Sequence, residues 1–250
     1  MNAFQHIALT ILGLTTALCA AARGVEYSSI DFAGQRFTVC TVQVRKEHLQ
    51  LFLRDDAGQT IKRFDRLAAL LQTRGQRLVF AMNAGMYQPD YSAQGLFVAE
   101  GREQAPLNTG SGYGNFFLKP NGVFALTDTG ARVLETSEYP KLREHVLLAT
   151  QSGPLLVRHG KIHPAFKRDS DSRLYRNGVG VPTPDTAVFV ISEGPINFYE
   201  FATLFRDKLK CPDALFLDGT VCSLYATALK RSDFRIDLGP LIGVSEPAQP

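Results

Sequence analysis

The sequence predicts an α+β domain with a mixed, largely antiparallel sheet and few helices. Short apolar or alternating segments recur along the chain, and residues typical of tight turns separate them. Apolar residues at helical spacing define two segments. The 250 residues are 45% hydrophobic and 20% charged, which is the composition of one globular domain with a sizeable core.

The first 22 residues have the pattern of a secretory signal peptide. An apolar segment over 7–18 precedes three alanines at 20–22, which predicts cleavage after Ala22. That segment is too short to predict a membrane span. No Lys or Arg precedes Arg23, and the bulky Leu18 disfavours a lipid anchor at Cys19. We therefore expect a periplasmic or secreted domain over residues 23–250, without stable membrane insertion.

Turn signals separate the predicted strands. Asp-Thr-Gly at 128–130 and Pro-Asn-Gly at 120–122 predict hairpin turns. The polar, charged segment over 166–177 predicts a loop. The predicted strands cover residues 36–44, 48–54, 77–82, 95–100, 115–119, 123–127, 131–135, 146–150, 155–158, 187–192 and 214–217.

Two segments have helical periodicity. The first begins at Phe64 and ends before Gly75. The second covers 197–210, where Asn197 and Glu200 have the spacing of a capping box and Pro212 follows the end. The apolar face of the second helix consists of Phe198, Phe201, Ala202, Phe205 and Leu209.

Charge and cysteine content exclude several classes of protein. A formal net charge of +3 does not indicate a nucleic-acid partner. The cysteines after the predicted signal are Cys40, Cys211 and Cys222, and the chain has no CxxC motif, so zinc-ribbon and thioredoxin-like interpretations fail. Export permits disulfides, and pairing of Cys40 with Cys211 stays open at this point.

Two apolar segments end in polar residues that suit a catalytic cleft. The run over 214–217 ends in Asp218 and Gly219, and the run over 77–82 ends in Asn83. Either segment alone is explained as a core strand with a polar end. Together they predict one cleft that contains both polar side chains.

Other motifs give weaker signals. Ser152 lies in Gln-Ser-Gly-Pro, which is not the GxSxG of a nucleophile elbow. The glycine-rich segment 110–114 lacks the Lys-Ser/Thr of a P-loop, and we interpret it as a loop over a site or a plain turn. His159 and His163 have metal-ligand spacing, but no cluster of acids or cysteines joins them. We expect neither a metal nor a cofactor.

Four cations lie within ten residues of the predicted 166–177 loop: Lys167, Arg168, Arg173 and Arg176. A charge run of this kind is usually solvated. The alternative is an anion site, because guanidinium groups bind phosphate oxygens bidentately. Arg176 is the strongest candidate for that role, since it directly precedes a small-residue run that enters a strand.

Four segments together resemble the phosphodiester glycosidase family. They are Asn-Ala-Gly-Met-Tyr at 83–87, Ser-Gly-Pro-Leu-Leu at 152–156, Arg-Asn-Gly-Val-Gly at 176–180 and Leu-Asp-Gly-Thr-Val-Cys-Ser at 217–223. The resemblance covers about 36–244 and is strongest to compact exported bacterial members. The catalytic domain of the lysosomal uncovering enzyme is similar.

The resemblance implies roles for the matching positions. The implied catalytic residues are Asp218, Arg176 and Glu200. The implied substrate-binding residues are Asn83, Ser152, Gly153, Gly219 and Thr220. The family often has a glycine run and then serine after Asp-Gly, whereas this chain has Thr-Val-Cys-Ser at 220–223. That departure leaves the identity of the substrate open.

The resemblance and the residues together predict a hydrolase that cleaves the bond between a sugar and a phosphodiester. Asp218 would act as base or nucleophile, and Arg176 would clamp the leaving phosphate. A phosphate is a good leaving group, so a second flanking carboxylate is not required. Glu200 has an alternative structural role in the capping box. The alternative function is a non-catalytic envelope module that binds anionic glycans in the same cleft.

Overall fold

Three antiparallel sheets make up most of the fold in the computed structural model, which describes residues 24–142, 145–219 and 221–248. The predicted signal peptide over 1–22 and the predicted site residue Thr220 lie outside the described residues. No helix in the described ranges has the length and apolar character to cross a bilayer.

The described residues form 17 strands, which are distributed over three sheets. In chain order the strands are β1 (Glu26–Phe32), β2 (Gln35–Gln43), β3 (His48–Phe52), β4 (Gln76–Asn83), β5 (Phe97–Ala99), β6 (Arg102–Ala105), β7 (Gly122–Thr127), β8 (Gly130–Glu135), β9 (Val146–Ser152), β10 (Leu155–Arg158), β11 (Lys161–Ile162), β12 (Asn177–Thr183), β13 (Thr186–Ser192), β14 (Asp213–Asp218), β15 (Leu224–Ala226), β16 (Arg231–Ser232) and β17 (Leu241–Pro247). Sheet one has the order β1-β2-β13-β12-β14-β10-β11, sheet two β16-β15-β4-β17-β3, and sheet three β6-β5-β9-β7-β8.

All strand pairs in the described residues are antiparallel. The predicted α+β class with a largely antiparallel sheet and few helices is therefore confirmed. The hairpin predicted at 128–130 joins β7 to β8, with Thr127 paired to Gly130.

A central core lies between the three sheets, and β14 shows how alternation builds it. Leu215 and Leu217 enter this core, whereas Ala214 and Phe216 lie in a second core on the opposite face of sheet one. Successive side chains of a strand point to opposite faces, so one short strand serves both cores. The strand is thereby fixed on both sides, and its last residue, Asp218, is held at a defined position.

The two predicted helices form, one of them in shortened form. Helix α1 (Phe64–Thr73) covers one face of sheet two. Helix α2 (Phe198–Thr203) begins at the Asn197 cap and continues as a π-helical turn, Leu204–Lys208. The N–H of Leu209 donates to the Leu204 carbonyl, which is the five-residue spacing of a π-turn. The predicted apolar face packs against sheet one throughout.

The structure corrects three predictions of local structure. Residues 115–119 do not form a strand, because Asn115–Phe117 is a 3₁₀ turn that places Phe116 in the interior. The hairpin predicted at 120–122 does not form for the same reason, since β7 has no strand directly before it in the described residues to pair with. Cys40 and Cys211 are not neighbours, since they belong to different cores on opposite faces of sheet one. Both are free, buried thiols, and burial raises the pKa of each to about 12.

Candidate active site

One strand end from each sheet contributes a predicted site residue to the same region. Asn83 ends β4 in sheet two, Ser152 ends β9 in sheet three, and Asp218 ends β14 in sheet one. The half-buried Asp218 borders a cleft of about 290 Å³. The other residues that line the cleft are Met86, Tyr87, Gln94, Tyr113, Gly114, Asn115, Phe116, Phe117 and Val221.

A network of buried amides holds the end of β14. The backbone N–H of Asp218 donates to Asn177 Oδ1 at 2.8 Å, and Asn177 Nδ2 donates to Asn83 Oδ1 at 2.9 Å. The N–H of Ser223 donates to the same Asn83 oxygen at 3.1 Å. Asn83 and Asn177 are fully buried, so their side chains connect sheets one and two inside the protein. The network therefore brings Asn83 and Asp218 together, but Asp218 lines the cleft whereas Asn83 is buried and is not among the lining residues.

Burial changes the acidity of Asp218. Desolvation by the surrounding protein raises the pKa of its carboxyl to about 6. Two contacts oppose this effect: the N–H of Gly219, which donates to Asp218 Oδ1 at 2.6 Å, and the Asn83 amide. Asn83 Nδ2 itself has no well-formed hydrogen bond. A carboxyl with this pKa is mostly ionised at neutral pH yet remains a useful proton acceptor.

Ser152 binds β14 from sheet three, and Gly153 beside it packs closely against Asn121. The Ser152 hydroxyl donates to the Leu217 carbonyl at 2.7 Å and has no exposed surface. A Cβ on Gly153 would lie 2.6 Å from Asn121 Cβ, so a larger residue does not fit there. These contacts give both residues a positioning role, and their predicted contact with substrate stays a prediction.

The turn after β14 is tied together by Cys222. Its thiol donates to the Gly219 carbonyl at 2.7 Å and to the Asp218 carbonyl at 3.3 Å. Burial raises the pKa of this thiol well above its ordinary value, so Cys222 acts as a neutral donor. In the resembling family a serine is common in this turn, and here the thiol makes the bonds that close it.

Arg176 lies behind this turn and is completely buried. Its Nε donates to the Ile196 carbonyl at 2.8 Å, and its Nη2 donates to the Ser172 carbonyl at 2.9 Å. The guanidinium lies 3.6 Å from the Phe198 ring centroid. No carboxylate among the described residues pairs with it, and its Nη1 has no hydrogen-bond partner. Burial lowers the pKa of Arg176 to about 10, which still leaves it charged at neutral pH.

Glu200 lies outside the cleft. Its N–H donates to Asn197 Oδ1 at 2.9 Å, which is one half of the predicted capping box. The Glu200 carboxylate forms an ion pair with Arg173 at 2.9 Å. The guanidinium of Arg168 stacks on Tyr199 of α2. The arginines Arg168 and Arg173 of the 166–177 loop therefore contact α2 at separate places, and Glu200 is not among the residues that line the Asp218 cleft.

Sequence reasoning missed Asn177 and the aromatic lining of the cleft. Tyr87 donates its hydroxyl to the Asp237 carbonyl at 3.0 Å, and its pKa is raised to about 12, mainly by burial and secondarily by the charge of Asp218. Tyr113, in the glycine-rich 110–114 segment, is fully exposed at the cleft. The motif at 83–87 contains Tyr87, so that residue was visible in the sequence. The role of Asn177 depends on the register of strand pairing, which was not visible in the sequence.

The two histidines considered as metal ligands have separate environments. His159 is exposed in a turn, where its N–H donates to Asp213 Oδ1 at 2.8 Å. His163 is buried, stacks on Phe166, and has a pKa lowered by burial. In the part of the chain that the structure describes, no group of three or more His, Cys, Asp or Glu side chains is arranged to hold a metal ion.

Sequence comparisons connect this site to a family. A family model for phosphodiester glycosidase matches residues 76–235. The YigE protein of Escherichia coli strain K12, itself uncharacterised, is 32% identical over 219 residues, which span 88% of this chain and 83% of YigE.

Two solved structures have a similar fold. The catalytic domain of zebrafish N-acetylglucosamine-1-phosphodiester α-N-acetylglucosaminidase, inhibited by its pro-peptide, matches with a TM-score of 0.59 and 14% identity, over 88% of this chain and 82% of that one. A Burkholderia pseudomallei K96243 protein described as exported matches with a TM-score of 0.56 and 10% identity, over 84% and 74% of the two chains. At these identities the matches establish a common fold.

Proposed function

We propose that this chain, which belongs to the phosphodiester glycosidase family, is a hydrolase of sugar-1-phosphodiesters. The reaction would break the bond between the anomeric carbon and the phosphate oxygen. The family name supports the class of reaction, and the residues around Asp218 support the assignment of roles.

The observation that carries the proposal is the chemistry of Asp218. Among the described residues that line the cleft, it is the one carboxylate. Its pKa of about 6 makes it a proton acceptor suited to neutral pH, and the buried amides fix its backbone. A solvated surface acid would have neither property.

In the proposed step, Asp218 accepts a proton from water while the water oxygen forms a bond to the anomeric carbon. The bond from that carbon to the phosphate oxygen breaks, and its electron pair stays on the phosphate. The products are a free sugar and a phosphate monoester of the other alcohol. Alternatively, Asp218 attacks the anomeric carbon itself and water then hydrolyses the glycosyl ester.

Arg176 supplies positive charge to this step in our proposal. Its guanidinium has no carboxylate partner among the described residues, so its charge is uncompensated close behind the 218–222 turn. Such a charge stabilises the phosphate as negative charge develops on it. Because Arg176 is completely buried, its free Nη1 can donate to the phosphate directly only if the residues that cover it move.

Aromatic and amide groups would hold the sugar. Tyr87, Tyr113 and Phe117 line the cleft and present ring surface, while Gln94 and Asn115 lie beside them with polar side chains. Rings of this kind pack against the apolar faces of sugars, and amides satisfy the hydroxyls. Asn83 and Gly219 are buried, so in this proposal they hold the turn at Asp218 in place, and contact with substrate stays a prediction for them and for Thr220.

Export is the second part of the proposal. The apolar segment and alanines before Arg23 support it, as does the fold shared with a Burkholderia protein described as exported. The expected location is the periplasm or the medium.

The test is release of free sugar from a panel of sugar-1-phosphodiesters by the purified protein and by Asp218→Asn. The proposal predicts turnover of at least one substrate by wild type and a loss of about 10² or more in the variant. Asp213→Asn, at the other end of the same strand, is the matched control and should retain activity. Binding of the panel without turnover would support the alternative of a non-catalytic envelope module for anionic glycans.

A further inference from the structure

The loop between Asp233 and Leu238 is anchored at both ends. The Asp233 carboxylate accepts bonds from Arg231 Nη2 at 2.8 Å and from the Leu224 N–H at 3.0 Å. At the other end, the N–H of the buried Leu238 donates to the Lys62 carbonyl at 2.9 Å. The two ends of the loop are therefore held in place, with residues 234–236 exposed between them.

The tip of this loop exposes two large apolar side chains. Phe234 is 59% exposed and Ile236 is 49% exposed. The Arg63 guanidinium lies over one face of the Phe234 ring, 4.2 Å from its centroid, and the rest of the ring and Ile236 face solvent. Exposed apolar side chains next to a cleft can serve as a contact surface.

Arg235, between these two residues, lies beside the Asp218 turn. Its guanidinium stacks 4.6 Å from the ring centroid of Tyr175. The Tyr175 carbonyl oxygen would lie 3.7 Å from a Cβ placed on Gly219. The charge of Arg235 also reaches the Cys222 thiol and lowers its pKa. The contact through Tyr175 and the effect of the Arg235 charge on Cys222 together place Arg235 near the turn that follows β14.

The opposite side of the loop contacts the aromatic wall of the cleft. The Asp237 carbonyl accepts the Tyr87 hydroxyl, and Tyr87 stacks on Tyr91. Tyr87 and Asp218 line the same cleft. The loop therefore contacts Tyr87, which lines the cleft, at Asp237 and contacts Tyr175, which lies near Gly219, at Arg235.

Arg235 differs from the neighbouring cations in having no acidic partner. Lys62 pairs with Asp237 at 3.4 Å, and Arg63 pairs with Asp65 at 2.8 Å. In the described ranges no carboxylate pairs with Arg235, which is exposed. It is available to an anion from solution, whereas Arg176 is fully buried.

We propose that this loop is the aglycone subsite: Arg235 binds the phosphodiester, and Phe234 and Ile236 bind an apolar aglycone. The substrate class is then a sugar joined through a phosphodiester to an alkyl or lipid-like alcohol. This inference rests on the proposed function for the sugar half of the substrate, while the loop supplies the other half.

The chemistry of the tip favours an apolar aglycone over a second sugar or a nucleoside. Phe234, Arg235 and Ile236 carry no side-chain hydrogen-bond acceptor for a polyhydroxylated ligand, and the carboxylate of the adjacent Asp237 already pairs with Lys62. A guanidinium flanked by apolar side chains matches a charged phosphate followed by a hydrocarbon.

Binding of two probes without a sugar tests the subsite. Methyl octyl phosphate and dimethyl phosphate carry the same charge and differ in chain length, and neither has a glycosidic bond to cleave. By titration calorimetry below the micelle concentration, we expect wild type to bind the octyl probe at least tenfold more tightly, because chain burial adds to phosphate contact.

Two variants and two controls separate the contributions. Phe234→Ser with Ile236→Ser should abolish the preference for the octyl probe, and Arg235→Gln should weaken binding of both probes about tenfold. Arg102→Gln, which changes an exposed arginine on β6, and Leu147→Ser, which changes an exposed leucine on β9, should leave both affinities unchanged.

Two results would overturn the subsite. One is equal affinity of wild type for the two probes, and the other is an unchanged preference for the octyl probe after Phe234→Ser with Ile236→Ser. Loop variants that lose only co-sedimentation with anionic vesicles would overturn it as well, since the loop would then be a membrane contact. Octyl-dependent binding by a protein that releases no sugar from any substrate would instead overturn the proposed hydrolysis and leave the subsite intact.

Discussion

Asp218 occupies a position that costs folding free energy when its carboxyl is charged. Burial raises its pKa to about 6, whereas an unfolded Asp titrates near 3.9. Below about pH 4 the carboxyl is protonated in both states and contributes no pH dependence. As the pH rises through 4 to 6, the unfolded state loses its proton first, so stability decreases and then stays constant above about pH 6. The ionised carboxyl lowers the free energy of unfolding by about 1–3 kcal/mol. An acid with only a structural role would have no reason to be kept at such a cost.

The first prediction follows from this penalty. Asp218→Asn should unfold at the same temperature as wild type or higher at pH 7.5, because the buried charge is removed while the shape is kept. Its activity should be at least about 10² lower. Thermal denaturation measured beside the kinetics decides, with Asp213→Asn as the control. Marked destabilisation of Asp218→Asn with proportional loss of activity would identify a structural carboxylate.

The second prediction concerns the pH profile of the wild type. If the ionised carboxylate reacts, kcat/KM should rise with pH, reach half of its maximum near pH 6 and level off about one pH unit higher, following the pKa of Asp218. The stability difference between wild type and Asp218→Asn should grow over the same range. A profile that falls between pH 5 and 7 would mean that the protonated form is the active one.

The third prediction concerns Arg176. A lysine cannot make both bonds of the guanidinium, to Ile196 and to Ser172, so Arg176→Lys should lower the unfolding temperature and reduce kcat/KM at least about tenfold. Measured below its unfolding temperature, the loss of rate should persist at moderate salt, because a buried charge is poorly screened.

Arg168→Lys is the matched control, since Arg168 is exposed in the same loop and stacks on Tyr199. It should change the rate little. Equal losses in both variants that disappear together with added salt would show a diffuse basic patch and would remove Arg176 from the mechanism.

At the scale of elements, the site depends on bonds between strands of different sheets. Ser152 at the end of β9 donates to Leu217 in β14, and Asn177 in β12 connects Asp218 to Asn83 in β4. The bonds of Ser152 to Leu217 and of Asn177 to Asn83 are buried, so removal of one partner leaves a polar group without a replacement. The strand ends are held together at the place where the carboxylate is needed.

The fourth prediction tests one of these bonds. Ser152→Ala should lower the free energy of unfolding by about 1–2 kcal/mol and lower kcat with little change in KM, because the hydroxyl positions β14. Ser28→Ala, at an exposed position of β1, should change neither quantity. A raised KM with unchanged stability would instead support the direct contact with substrate that the Ser-Gly-Pro motif implies.

The strands that carry the site were predictable because local sequence specifies them. β4 and β14 are apolar runs that end in a polar residue, and both form within one residue of the predicted bounds. β17 was not predicted, although it lies between β4 and β3 in sheet two. It contains Gly243, which weakens the strand pattern, and a Cβ there would lie 2.7 Å from the Phe80 carbonyl.

At the scale of the whole molecule, three sheets meet so that one end of each contributes to the site. The sequence contains the motifs of Asn83, Ser152 and Asp218 separately, with more than 60 residues between neighbours. Their meeting is set by the antiparallel registers of long-range strand pairs, which single-sequence patterns do not contain. For the same reason Asn177 and the burial of Arg176 became visible only in the structure.

The central claim is that the protein cleaves the bond between the anomeric carbon and the phosphate oxygen. The family assignment and the cleft together support it. Hydrolysis in ¹⁸O-labelled water of a substrate from the panel that turns over tests it directly. Attack on the anomeric carbon places the label in the sugar, so the phosphate monoester product should carry none, as read by mass spectrometry of that product. Label in the phosphate, or release of a sugar-1-phosphate, would show attack on phosphorus and would contradict the account.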